Sequence, residues 1–156
     1  MKKIGRLSLY LILGSFIVIQ FFGVEKNTSE AVPASDFLKV HENMPVELSD
    51  IFKTSCYDCH SNNTNYPWYA HVAPFSWLID QHIRNGKREL NFNVYDTLSN
   101  RKKIGLLDEI CEVVSDSSMP PSNYLMLHSD AILSEEDKTI LCDWAEEEAL
   151  MLMRKK

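Results

Sequence analysis

Residues 55–64 read SCYDCHSNNT, and this stretch decides how the rest of the chain is interpreted. Two cysteines, Cys56 and Cys59, are three positions apart, and His60 follows directly. A helix is predicted over residues 45–54, because Pro45 suits a first turn and the apolar residues after it recur on one side. This helix runs directly into the motif. The sequence therefore places two thiols and one imidazole at the end of a helix.

The spacing Cys-x-x-Cys-His is the attachment sequence of c-type haem. Two thiols placed in this way can reach the two vinyl groups on one edge of a porphyrin, and the histidine lies under the ring with a nitrogen available to the iron. We therefore expect one covalently attached haem c, held by Cys56 and Cys59, with His60 as an iron ligand.

Two other uses of the same residues are open. A dithiol or disulfide redox site of the thioredoxin type would need a strand before the motif, and no strand is predicted there. A zinc site would need a second ligand pair at short spacing. Cys111 and Cys142 are far apart and have no neighbouring histidine, so zinc would require a scattered ligand set.

The rest of the chain predicts helices separated by long loops. Pro74 can open a second helix that Gly86 would stop, and a third helix is expected to begin near Ser99. Residues 115–133 contain consecutive prolines and are expected to form a loop. Ser134, with Asp137 three residues later, resembles a capping box before a last helix. The expected fold class is all-α, a small cytochrome-c-like helical haem domain.

The N-terminus has the pattern of a membrane anchor. Basic residues 2, 3 and 6 precede residues 7–24, which carry no charge and would span about 27 Å as a helix. We expect residues 1–24 to be an uncleaved single-pass anchor in the inner membrane, with a cleaved signal peptide as the alternative. Residues 25–44 would be a tether in which His41 is exposed, and residues 45–156 would be a periplasmic haem domain.

The charge of the exported part limits its partners. The chain has 16 basic and 22 acidic residues. Residues 1–24 hold three of the basic residues and no acidic residue, so the remainder has 16 − 3 = 13 basic residues against 22 acidic ones, a net charge of −9. Such a domain repels nucleic acid. We expect redox proteins in the periplasm as partners, and the membrane through the N-terminal helix.

The sixth ligand of the iron is expected to be Met119, in the rigid run Met119-Pro120-Pro121, because thioether ligation is common in small electron-transfer cytochromes. Filling a gap in the core is the alternative role of this methionine. The other candidate ligands are His82, His71, and Met126 or His128 of the same loop. An open sixth position is the remaining option.

Three further groups of side chains carry weaker expectations. Cys111 and Cys142 fall on predicted buried helix faces, where they either pack in the core or form a bridge. The acidic run at residues 146–148 is expected to be a solvated helix face. Four aromatic residues are expected to line the haem edge or pack in the core, namely Tyr66, Trp68, Tyr69 and Trp77.

The run SCYDCHSNNT, together with Tyr66-Pro67-Trp68-Tyr69 and Met119-Pro120-Pro121, resembles the bacterial haem-binding domain proteins. The resemblance covers roughly residues 46–145. It implies a small, mostly helical c-type haem domain that faces the periplasm on an N-terminal anchor. It does not imply a defined reaction.

Three functions fit these observations. Periplasmic electron transfer is favoured, with His60 and Met119 closing both axial positions of the iron. A haem subunit or partner of a peroxidase-type enzyme would need an open sixth position and distal acid–base groups, and none is evident near the motif. A haem-based sensor of redox state or gas is the third. We expect an electron carrier rather than an enzyme.

Overall fold

A computed structural model describes residues 2–29 and 31–155. The described residues form eight α-helices and three short 3-10 helices at Trp68–His71, Phe92–Thr97 and Ser129–Ala131, and they contain no strand. The all-α prediction is therefore confirmed. The α-helices are α1 Lys2–Ile19, α2 Phe37–Val40, α3 Val46–Ser55, α4 Tyr57–His60, α5 Phe75–Glu89, α6 Asn100–Ser115, α7 Ser122–Leu125 and α8 Glu135–Arg154.

The two longest helices of the domain, α6 and α8, pack against each other in opposite directions. The side chain of Asn100, at the start of α6, donates to the carbonyl of Leu152 near the end of α8. Their facing side chains are buried, among them Leu107 and Leu141, each with no exposed surface. A disulfide between Cys111 and Cys142 joins the same two helices. This pair forms the base on which the other elements pack.

The starts of these helices follow local sequence signals. Ser99 caps α6 by accepting from the amide of Lys102, and Ser134 forms a reciprocal capping box with Asp137 at α8. These contacts satisfy amide groups that the first turn of a helix leaves without partners. The expected helix starts at Ser99 and Ser134 are therefore confirmed.

Part of the expected tether lies in the core. Phe37 of α2 is fully buried and makes aromatic contacts with Phe52 at 4.8 Å and with Phe92 at 5.0 Å. His41 follows α2, with a side chain only 10% exposed that lies 3.4 Å from the Glu148 carboxylate. The expectation that His41 is exposed is therefore wrong, and Glu148 is not on a solvated face. A short apolar segment docks here because it fills an aromatic cluster.

The structure differs from the membrane-spanning helix expected over residues 7–24. Helix α1 ends at Ile19, and its first two turns contain Lys2, Lys3 and Arg6. The uncharged part of the helix, residues 7–19, is about 20 Å long, against a hydrocarbon thickness of about 30 Å. Among the described residues, no helix combines the length and the apolar character needed to cross a membrane.

The segment after α1 is hydrogen-bonded along the domain. The side chain of Gln20 donates to the carbonyl of Ala73 and accepts from its amide, at 3.2 and 3.0 Å. The indole of Trp77 donates to the carbonyl of Phe22 at 2.7 Å. The Asn27 side chain donates to the carbonyl of Ser61 at 2.8 Å. Residues 20–29 are therefore a strap that holds α1 to the domain.

Candidate functional site

A cavity of about 490 Å³ opens beside the Cys-x-x-Cys-His motif. Its volume lies within the range of small-molecule and cofactor sites. Helix α6 supplies one apolar wall, and the loop before α8 supplies another. The apolar lining includes Leu90, Phe92, Leu106, Ile110, Val113, Val114 and Leu133.

The structure brings all four expected haem-binding residues to this cavity. Cys56, Cys59 and His60 line it from the motif, and Met119 lines it from the loop after α6. Of the alternative ligands, His82 of α5 also lines the cavity. The other three, His71, Met126 and His128, are not part of its lining.

The orientation of His60 is fixed by a backbone carbonyl. Its Nδ1 atom lies 3.0 Å from the carbonyl oxygen of Leu90, the residue directly after α5. A carbonyl can only accept, so Nδ1 carries the proton and Nε2 keeps a free lone pair. Burial lowers the pKa of His60, which favours the neutral imidazole. This is the form and the hydrogen bond typical of a metal-binding histidine.

Cys56 and Cys59 are free thiols in the structure. Burial, with a smaller contribution from Cys59, raises the pKa of the Cys56 thiol to about 12. Burial and the charge of Asp58 raise the pKa of the Cys59 thiol to about 11. Both thiols are therefore protonated at neutral pH, and neither has the lowered pKa of a reactive redox cysteine. This argues against the dithiol alternative.

Helix α5 approaches the motif very closely at Gly86. A Cβ atom on this residue would lie 2.8 Å from the carbonyl oxygen of Cys59. Gly86 was expected to end the second helix, but α5 continues to Glu89. The glycine therefore serves the contact between α5 and the motif. A glycine inside a helix can indicate such a packing requirement, and this was the signal available in the sequence.

A buried network of polar side chains holds the turn between the two motif cysteines. The phenol of Tyr57 donates to the Asp36 carboxylate at 3.0 Å, and the Asn93 side chain donates to the same carboxylate at 3.0 Å. Burial raises the pKa of Asp36 despite these bonds. The Tyr57 ring also stacks on Phe92, 4.8 Å between centroids. Asp36 and Asn93 thus position the turn between the cysteines, a role that the sequence did not reveal.

A second contact leads from the motif to the loop before α8. The phenol of Tyr124, which lines the cavity, donates to the Asp58 carboxylate at 3.0 Å. Burial and the nearby Asp58 raise the pKa of Tyr124, so this phenol is protonated. The Tyr124 ring stacks on the ring of His128, 3.9 Å between centroids. The hydrogen bond from Tyr124 therefore attaches the loop before α8 to the motif.

The four aromatic residues expected at the haem edge do not line the cavity. Trp68 is 80% exposed and lies outside the core as well. Tyr69 contacts His128, and Trp77 bonds to the strap. The expectation for Trp68 is wrong, because the 3-10 helix that carries it projects its side chain into solvent.

A backbone hydrogen bond fixes the position of Met119. Its amide donates to the carbonyl of Val113 at 2.9 Å, which folds the loop back over the end of α6. The side chain is 41% exposed, and it lines the cavity between apolar α6 and the two prolines. A thioether so placed is accessible from the cavity and does not fill a closed gap in the core.

The residues present fit a haem group. Two thiols lie on one side of an apolar cavity, and an imidazole has its Nε2 lone pair available. Among the described residues lining the cavity there is no Lys or Arg, whereas Asn85 and His82 have side chains that could donate hydrogen bonds to the propionates. No three His, Cys, Asp or Glu side chains are grouped as a bare metal ion would need, within the part of the chain that is described.

Comparison with known families agrees with this geometry. The model of a family described as haem-binding domain matches residues 14–147, which is most of the chain. The chain belongs to the haem-binding domain family. The match includes the motif, the residues that line the cavity, all of α6 and the part of α8 up to residue 147. No curated protein and no solved structure matches the chain. As a member of this family, the chain is a haem-binding protein.

Proposed function

We propose that this haem-binding domain protein is a c-type electron carrier. The observation that carries the proposal is the meeting of Cys56, Cys59, His60 and Met119 at one apolar cavity, with the Nε2 atom of His60 left free by the bond to Leu90. The two thiols are the groups that would form thioethers with the porphyrin vinyls. Each S–H adds across one double bond, so no leaving group or oxidant is required.

Each side chain then has a defined task. His60 presents a neutral nitrogen to the iron, and its orientation is fixed through Leu90. Met119 supplies a thioether on a loop whose backbone is already ordered, which limits the entropy lost on ligation. The apolar side chains of α6 exclude water from one side of the cavity. When bound, the haem would supply one-electron chemistry, and His60 and Met119 are the residues that would tune it.

The proposed location is outside the cytoplasm, in the periplasm. The disulfide between Cys111 and Cys142 supports it, because disulfides persist in oxidising compartments. Maturation of c-type haem is also expected there. The proposed partners are redox proteins with basic surfaces, since the chain has a formal net charge of −6.

An enzyme with an open sixth position is the second candidate, and His82 is the observation that favours it. His82 lines the cavity and could act as a distal acid–base group. The two functions differ in the ligation of the iron. Ferric protein with a Met–His spectrum supports the carrier, whereas a five-coordinate or water-ligated spectrum supports the enzyme.

Covalent attachment is tested by acid–acetone extraction of the full chain, produced together with a c-type haem maturation system. We expect wild-type protein to keep its haem and the double variant Cys56→Ala/Cys59→Ala to release it. The matched control is Cys111→Ser/Cys142→Ser, which also removes two cysteines and should retain the haem. Release of haem from wild-type protein would contradict the c-type proposal.

A further inference from the structure

A continuous row of aromatic rings leads from the cavity to the surface. Tyr124 lines the cavity, and its ring stacks on His128 at 3.9 Å between centroids with an interplanar angle of 10°. The ring of Tyr69 lies 6.2 Å from that of His128, and the ring of Trp68 lies 5.8 Å from that of Tyr69. We call these four residues the aromatic row.

The hydrogen bonds inside the row have a defined direction. Nδ1 of His128 lies 3.0 Å from the carbonyl oxygen of Tyr124, so Nδ1 carries the proton. Nε2 therefore accepts, and the phenol of Tyr69 donates to it at 3.2 Å. The phenol of Tyr124 donates in turn to Asp58, between the two motif cysteines. Donation thus runs from Tyr69 through His128 and Tyr124 towards the motif.

The outer end of the row is an exposed apolar patch. Trp68 is 80% exposed, and Met126 and Leu127, immediately before His128, are 82% and 65% exposed. Such a cluster is unusual on a surface that contacts only water, and tryptophan and methionine are enriched in protein interfaces. The contact between Tyr69 and His128 brings the two loops together. We call Trp68, Met126 and Leu127, which lie on these two segments, the exposed patch.

An acidic depression adjoins the segment that follows His128. Asp130 is exposed two residues after His128, and it borders a shallow depression together with Glu47, Asp50 and Asp137. Charges at the rim of an interface steer a partner of opposite sign and have less effect on final affinity. The exposed patch and the nearby acidic depression thus match a basic protein with an apolar contact surface.

We propose that the exposed patch is the docking surface for a basic redox protein and that the aromatic row is the electron path between that partner and the cavity. This inference rests on the proposed electron-carrier function. One electron leaves the haem iron of this chain, which is oxidised from ferrous to ferric, and the acceptor is reduced by one electron. The electron passes between rings that are in contact, and the phenols of the row are not oxidised. No proton therefore moves. Tunnelling rates fall steeply with the width of the gap between electron donor and acceptor. A packed row of rings shortens the part of the electron path that crosses empty space.

The test uses the full haem-loaded chain, reduced and mixed in a stopped-flow instrument with mitochondrial cytochrome c, a basic redox protein. Trp68→Ala should raise the half-saturating acceptor concentration at least tenfold. His128→Leu should lower the saturating rate at least tenfold without raising that concentration, and Tyr69→Leu provides a second interruption if His128→Leu fails to fold. The matched control is Phe21→Ala, which removes an aromatic ring that is 84% exposed and outside the row. It should change neither quantity.

Oxidation by hexacyanoferrate(III) separates this inference from the proposed function. This small oxidant needs no docking surface, so Trp68→Ala should react with it at the wild-type rate and with an unchanged midpoint potential. A wild-type protein without a reversible haem couple would refute the electron carrier itself. If the carrier is intact but Trp68→Ala reacts with cytochrome c like wild type, the docking surface is wrong. An unchanged saturating rate in both His128→Leu and Tyr69→Leu overturns the path.

Discussion

The backbone of Cys59 lies directly against Gly86, so that a Cβ atom on Gly86 would be 2.8 Å from the Cys59 carbonyl oxygen. Real Cβ atoms do not come this close to a backbone oxygen, and neither partner is a flexible side chain that could move away. The contact sets the distance between α5 and the motif. The last turn of α5 then presents the Leu90 carbonyl to His60.

Gly86→Ala should therefore destabilise the protein, although alanine is intrinsically the better helix former. Overpacking of this kind costs about 1–3 kcal/mol, and the propensity gain of about 1 kcal/mol offsets only part of it. Urea unfolding measures the net loss, and the haem content of purified protein should fall as well.

Gly105→Ala is the matched control for that prediction. Gly105 is also inside a helix, α6, but a Cβ atom there would meet nothing within 4 Å. The substitution should be neutral or should stabilise by about 0.5–1 kcal/mol. Equal stability of the two variants would show that the approach of Cys59 to Gly86 does not constrain the fold.

Replacing Met119 tests the sixth ligand. A thioether favours ferrous haem, so Met119→Ala should lower the midpoint potential, by about 100 mV or more on the scale that axial ligands command. The weak near-infrared band of a sulfur-ligated ferric haem should disappear, and carbon monoxide should bind readily to the ferrous form.

Met126→Ala is the control, because this methionine belongs to the same loop but is 82% exposed and does not line the cavity. It should keep both the band and the potential. If Met119→Ala remains six-coordinate and low-spin at an unchanged potential, the ligand is elsewhere. His82 is then the next residue to replace, since it lines the same cavity.

The disulfide between α6 and α8 should contribute strongly to stability. Cys111 and Cys142 are 31 residues apart. Closing a loop of this length restricts the unfolded chain, and the chain-entropy model gives about 3–4 kcal/mol. Cys111→Ser/Cys142→Ser should lose about this much in urea unfolding. Adding a reductant should bring the wild type to the same level and leave the variant unchanged, and a wild type indifferent to reductant would contradict the bridge.

The ion pair between Asp96 and Lys103 predicts a pH dependence. Lys103 is buried, and its ammonium lies 2.6 Å from the Asp96 carboxylate. The hydrogen bond and the charge of Lys103 lower the pKa of Asp96 from its ordinary value of 3.8. The stabilisation is therefore present above pH 3.8 and is lost as the pH falls through the lowered pKa of the folded state.

Asp96→Asn should accordingly lower the free energy of unfolding at neutral pH, by about 1 kcal/mol because the carboxylate is half exposed and screened by water. The difference from wild type should shrink as unfolding is measured at progressively more acidic pH. Asp108→Asn, on an exposed position of α6, should be neutral throughout. A difference for Asp96→Asn that stays constant with pH would contradict the ion pair.

The parts of the fold that depend on local signals could be predicted from the sequence, whereas the parts that depend on long-range contacts could not. Ser99 and Ser134 indicated helix starts correctly because a cap acts within one turn. Gly86 resembles a helix end in the sequence, but the close approach of Cys59 overrides its local preference. Phe37 was assigned to a tether because a four-residue helix is too short to show a period, although it is at the centre of the aromatic cluster.

The candidate site also has parts that could be predicted from the sequence and parts that could not. Chemistry and spacing predict that the motif residues and Met119 hold a haem, and all of them line the cavity. The hydrogen bond from His60 to Leu90 crosses 30 residues of sequence, and Asp36 reaches Asn93 across 57. No periodicity encodes such pairs. For the same reason the sequence left the Cys111–Cys142 bridge open and placed Trp68 at the haem edge.

The strap formed by residues 20–29 makes α1 mechanically continuous with the haem domain. Gln20 bonds to Ala73, Phe22 to Trp77 and Asn27 to Ser61, so the connection is held to the domain at three points along its length. A force or torque applied to α1 would reach the residue directly after His60. The direction in which α1 points thus also sets the direction in which the cavity faces.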